Sequence, residues 1–118
     1  MIEDMEQNNV NDNSCCVADF GTPVDSVNSS DLSVGDEVKL TYEPGRIVIF
    51  RYLGNNWFEV VDRENNQLQV GDHLLIKEFD KYHAYYAWEV IRGEENLGNY
   101  TAARFNGGIR TLFVKSAE

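Results

Sequence analysis

Apolar and polar residues alternate through Glu37-Val38-Lys39-Leu40-Thr41-Tyr42, the signature of a strand with one buried face. Pro44-Gly45 signals a turn. Arg46-Ile47-Val48-Ile49-Phe50-Arg51-Tyr52-Leu53 is β-branched and apolar on both faces, which predicts a central strand. Gly54-Asn55-Asn56 predicts a hairpin turn, and Trp57 to Asp62 its antiparallel return. After a turn at 64–67, His73 to Phe79 predicts the next strand, turned by Asp80-Lys81. Tyr85 to Ile91 follows, with Tyr86, Trp88 and Val90 assigned to one face. Gly93 to Gly98 reads as an acidic loop. Asn99 to Phe105 and Ile109 to Lys115 read as a last strand pair, joined at Asn106-Gly107-Gly108. No segment carries a helical stripe, although residues 77–86 leave room for one short helix. The expected fold class is all-β: a small β-barrel of about seven antiparallel strands, with turn signals about every 8–12 residues.

A repeat supports this reading. Leu32-Ser33-Val34-Gly35-Asp36-Glu37-Val38-Lys39-Leu40 recurs as Leu68-Gln69-Val70-Gly71-Asp72-His73-Leu74-Leu75-Ile76, and six of the nine positions match in kind. Gly accepts positive φ, and Asp caps nearby N–H groups, so each Gly-Asp pair predicts a tight turn. Each turn should lead into a core strand, with Val38, Leu40, Leu74 and Ile76 buried.

Residues 1–30 differ in texture. They are rich in Asn, Asp and Ser and follow neither period. They carry six acidic residues and no Lys or Arg, so they contribute −6 of the net charge of −10. Residues 31–118 carry fourteen acids and ten bases, giving −4. The expected organisation is a flexible acidic arm over 1–30 and a β-barrel domain over 31–118. Val17, Phe20 and Val24 offer the arm a way to add a strand to the barrel.

At 118 residues there is room for one domain, and six Tyr, six Phe and two Trp suit the core of a small barrel. The acidic balance disfavours a nucleic-acid partner, because phosphate backbones are gathered by basic faces. No apolar run is long enough to span a bilayer, and the acidic start lacks the core of a secretory signal. The adjacent Cys15 and Cys16 read as free thiols of a reducing compartment. These features predict a cytoplasmic protein, or a virion component, with no membrane partner.

Candidate chemistry is sparse. The only two histidines, His73 and His83, read as structural. Glu59/Asp62/Glu64 and Glu78/Asp80 are the paired carboxylates that could serve a metal or acid–base chemistry, and barrel rims commonly carry such charges. No catalytic residue, metal site or cofactor is assigned. The binding candidates are the aromatic set Tyr82, Tyr85 and Tyr86, near Trp88, with Arg46, Arg51 and Arg63 supplying charge beside such a face.

Two short stretches resemble known families. Val34-Gly35-Asp36-Glu37-Val38-Lys39-Leu40, followed by Arg46-Ile47-Val48 and Asn56-Trp57-Phe58-Glu59-Val60-Val61, resembles the opening of Tudor/KOW-type small barrels. That resemblance implies binding of nucleic acid, ribosomes, peptides or other proteins. Phe58-Glu59-Val60 with Gln69 to Asp80 resembles the central strands of ASCH/PUA-type barrels, which implies an association with RNA. Neither brings a catalytic residue with it.

The leading expectation is therefore a non-enzymatic binding or assembly module that contacts a protein partner through its arm and barrel rim. It would be a subunit of a virion or another large complex, with oligomer formation left open. The alternatives are an RNA-associated PUA/ASCH-like domain and a small hydrolase using the acidic clusters.

Overall fold

In the computed structural model, which describes residues 22–42, 45–102 and 111–117, the alternating runs become antiparallel strands. They are β1 (Pro23–Val24), β2 (Ser26–Asn28), β3 (Glu37–Tyr42), β4 (Arg46–Gly54), β5 (Trp57–Glu64), β6 (His73–Asp80), β7 (Ala84–Arg92), β8 (Glu95–Thr101) and β9 (Thr111–Lys115). One sheet joins them in the order β1-β9-β3-β4-β5-β6-β7-β8. β5 pairs with the first half of β6, and β2 with the second half.

The all-β expectation holds, with nine strands among the described residues rather than about seven. The sheet does not close into a barrel: among the described residues, β1 and β8 stand at opposite ends of the strand path. The expected pairing of the last two strands is absent there too, because β9 pairs with β3 and β1. Its expected turn at 106–108 lies outside the described residues. The stretch read as an acidic loop supplies most of β8, whose side chains are almost all exposed. Residues 77–86 form strand and turn, not helix.

Residues 22–30 belong to the sheet. β1 pairs Val24 with Leu112, and β2 pairs Val27 with Phe79. Val27 is buried in the core, and a 3-10 turn at Ser29–Asp31 buries Ser29. The rest of the acidic arm, including Cys15, Cys16, Val17 and Phe20, lies outside the described residues.

The two halves of the repeat fold alike. Gly35 and Gly71 both have φ of +98°. The Asp36 N–H donates to the Ser33 carbonyl (2.9 Å), and the Asp36 carboxylate accepts from the Ser33 N–H (2.9 Å). Asp72 and Gln69 repeat both bonds at 3.0 and 2.9 Å. Gly35 N–H donates to Tyr52 O on β4, and Gly71 N–H to Val60 O on β5, each at 2.9 Å. The two turns thus clasp the β4–β5 hairpin from either side and launch β3 and β6. Val38, Leu40, Leu74 and Ile76 are fully buried, as the repeat requires.

The hairpin itself turns at Asn55 and Asn56, both at positive φ, where a primed turn suits the twist of its strands. The core lies on the concave face of the sheet. Phe50, Phe58 and Phe79 pack there with centroids 5.1 to 6.1 Å apart. Register shifts on both sides of β7 leave Trp88 and Glu89 as an unpaired bulge, and a shift in β6 bulges Lys77 and Glu78 away from β7, although Glu78 still pairs with Asn28 on β2. Such bulges add twist, which curls the sheet around the aromatic core.

Candidate functional site

The bulges decide what faces solvent. In a regular strand Tyr86, Trp88 and Val90 would share a face. The bulge at Trp88-Glu89 resets the alternation, so Tyr86 and Trp88 point outward and Val90 inward. Tyr86 and Trp88 meet edge to face with centroids 5.1 Å apart, while remaining 41% and 52% exposed. The β6 bulge turns Lys77 outward beside them, and its Nζ lies 5.2 Å from the Trp88 ring centroid. A groove of about 470 Å³ runs along this face, with Glu78, Asp80 and His83 on its wall.

The turn at the end of the groove is held by Asp80. Its carboxylate accepts the N–H groups of Tyr82 (2.7 Å) and His83 (3.1 Å) and lies 3.4 Å from His83 Nδ1. The Tyr82 N–H, more than the His83 contacts, holds the Asp80 carboxyl below its ordinary pKa, against a smaller opposing effect of burial. Ala84 closes the turn at φ +68°, an uncommon conformation for a residue with a Cβ. Tyr82 is 64% exposed, with Lys81 Nζ 5.2 Å from its ring, and Lys81 in turn pairs with Asp25 at 3.0 Å.

The binding candidates therefore divide into separate groups. Tyr82 and Tyr86 are exposed near the groove. Tyr85 is corrected to a core residue: it is 5% exposed and packs at 5.5 Å against both Phe50 and Phe79. Its hydroxyl hydrogen-bonds Tyr42, and burial pushes the pKa of both phenols up. Arg51 pairs with Glu37 across β3 and β4 at 3.3 Å. Arg46 and Arg63 come together at a different place, a cleft beside the turn at Asn65-Asn66-Gln67. Trp88 and Lys77 complete the groove, and sequence alternation alone misplaced Trp88 beside Val90.

The groove offers stacking surface, one cation and two carboxylates. Among the described residues, no hydroxyl or thiol hydrogen-bonds His83, and no three His, Cys, Asp or Glu side chains converge as a metal site. Asp72, the carboxylate most deeply buried in the described structure, is structural. Burial raises its pKa, but hydrogen bonds from Arg92 and the Gln69 N–H, with the Arg92 charge, outweigh that and hold it below the ordinary value. Arg92 grips it through Nε (2.9 Å) and one Nη (2.8 Å). Among the described residues, no helix is long and apolar enough to cross a membrane.

No protein-family model, no curated protein and no solved structure matches this chain. The likenesses to Tudor/KOW and ASCH/PUA barrels thus rest on the quoted residues alone.

Proposed function

We propose that this chain is a binding module that docks a protein partner through the outward face of β6 and β7. The observation that carries the reading is the Tyr86–Trp88 pair, edge to face at 5.1 Å yet largely open to solvent. Aromatic anchors of this kind dominate protein interfaces, because they bury much surface while losing little side-chain freedom. The cation over Trp88 orients the ring before a partner arrives. Glu78 and Asp80 on the same groove suit a partner that brings hydrogen-bond donors or a basic side chain. A subunit of a larger assembly is one form such a module takes.

RNA is the second reading. An exposed aromatic pair beside Lys77 is a surface on which bases stack. The groove's carboxylates and the chain's net charge of −10 weigh against it.

The test is a native pull-down with the full chain and with Trp88→Ala/Tyr86→Ala, each with and without nuclease. The protein reading expects a protein captured by the wild type, depleted by the variant and indifferent to nuclease. Capture of RNA, or of a protein released by nuclease, would replace it with the RNA reading.

A further inference from the structure

We infer that the concave end of the sheet is a second binding site, for a small oxyanion, phosphate or carboxylate, carried on an apolar body. Cross-strand partners project to the same face of a sheet. Arg46 pairs with Tyr42, and Arg63 with Val48, and both of those partners are buried in the concave core. The two arginines therefore face inward at the rim of the core. Glu64, next to Arg63, pairs with Ile47 and projects to the opposite face.

Arg46 is oriented, and among the described residues neither arginine has an acidic partner. Arg46 Nε donates to the Asn65 carbonyl at 3.2 Å, and its guanidinium lies 5.7 Å from the Tyr42 ring centroid. Those contacts fix the plane of the group and leave both Nη atoms for a ligand. Among the described residues, no hydrogen bond or ion pair holds the Arg63 guanidinium. The other described arginines do have acidic partners: Arg51 has Glu37, and Arg92 has Asp72. Among the described residues, two neighbouring guanidiniums without a carboxylate partner are set apart from Arg51 and Arg92. Planar forks of this kind bind phosphate and carboxylate with paired N–H bonds.

The surroundings say what the anion is attached to. The arginine cleft holds about 470 Å³ and includes the amide of Gln67. Gln67 also lines an adjoining cleft of about 260 Å³, where Leu68, Val90, Leu97 and Tyr100 form an apolar wall and Arg92 and Asn99 add polar groups. Leu97 is 42% exposed there, large for an apolar side chain with a neighbouring wall to pack against. A ligand with its anion on Arg46 and Arg63 would lay an apolar or aromatic body along Leu68, Leu97 and Tyr100. Polar groups that fix a ligand's orientation beside an apolar wall are the usual make-up of a small-molecule site. The site is separate from the Tyr86–Trp88 groove, so either can fail without the other.

The experiment is an NMR titration of the full chain, following the arginine Nε–Hε and backbone amide signals. The probes are phenyl phosphate, benzoate and inorganic phosphate. The inference expects saturable shifts at Arg46, Arg63, Gln67 and Tyr100 with phenyl phosphate or benzoate, the stronger of the two identifying the oxyanion. Inorganic phosphate should bind at the same arginines about tenfold more weakly, lacking the apolar body. Arg63→Gln should weaken binding about tenfold, and Arg51→Gln should leave it unchanged. Shifts that fail to saturate, that are equal in Arg63→Gln, or that appear only at Arg51 and the exposed lysines would overturn the site.

Discussion

Gly35 and Gly71 adopt the same φ of +98° and donate to facing strands of one hairpin, Gly35 to Tyr52 and Gly71 to Val60, each at 2.9 Å. The repeat in the sequence is thus a repeat of hydrogen bonds, applied to the two strands of β4–β5. The positions differ in space. A Cβ on Gly71 would meet nothing within 4 Å, whereas one on Gly35 would sit 3.0 Å from the Ala117 Cβ. Gly71→Ala should therefore cost only the backbone strain, about 1–2 kcal/mol, and Gly35→Ala more. Urea denaturation of both variants checks this, and an unchanged midpoint in both would show that neither turn needs its glycine.

Asp72 predicts an acid-dependent part of stability. Folding lowers its pKa, so its contribution is complete above the ordinary carboxylate range and fades as the pH falls below it. Asp72→Asn should cost about 2 kcal/mol near pH 7, because it removes charge-assisted bonds from Arg92 and Gln69. As the pH falls through that lowered folded-state pKa the wild-type group becomes neutral, and the gap between the two proteins should narrow. Denaturant midpoints measured from pH 7 to pH 2 give the comparison. A gap that stays constant with pH would mean that the Asp72 charge adds nothing.

Val27 tests where the arm ends. It is buried beside Phe79, its partner across β2 and β6. Val27→Ala should destabilise by about 1–2 kcal/mol, and Val27→Asp by much more, because it would bury an unpaired charge. Thermal melts of both decide the matter. Wild-type midpoints would return residues 22–30 to a dispensable arm.

The strands from β3 to β7 were legible in the sequence because burial marks them: alternation where one face is covered, and a continuous apolar run in β4, where Ile49 is buried on the face opposite Val48 and Phe50. The Gly-Asp turns were legible because few residue pairs supply positive φ and a side-chain cap together. β1 and β2 left no such trace: Pro23, Ser26 and Asn28 project to solvent and join the sheet by backbone pairing. β8 was hidden for the same reason, since nearly every side chain in it is exposed. The candidate groove was half legible. Tyr82 and Tyr86 lie where an exposed aromatic face was expected, but the bulge that turns Trp88 outward has no sequence mark. Tyr85 was misplaced because a run of aromatics does not say which members are core. The meeting of Arg46 and Arg63 depends on register across β4 and β5, and the Asp72–Arg92 pair joins residues from two strands. Neither follows from spacing along the chain.

Phe79 and Trp88 should separate folding from binding. Phe79 is fully buried among Phe50, Phe58 and Tyr85, so Phe79→Ala should cost about 3–5 kcal/mol. Trp88→Ala removes an outward ring that is half exposed, and its denaturation midpoint should stay within about 0.5 kcal/mol of wild type. A large loss of stability in Trp88→Ala would make the ring structural and remove the reason to regard it as a docking anchor.

Tyr86 and Trp88 are proposed to anchor a protein partner. The most direct measurement of that anchoring is calorimetric titration of the protein captured by the wild-type chain against wild type, Trp88→Ala and Trp88→Ala/Tyr86→Ala. The account predicts that Trp88→Ala weakens binding by about 2 kcal/mol, some thirtyfold, and that the double variant weakens it further, with thermal midpoints unchanged. Equal affinity for all three proteins would contradict it.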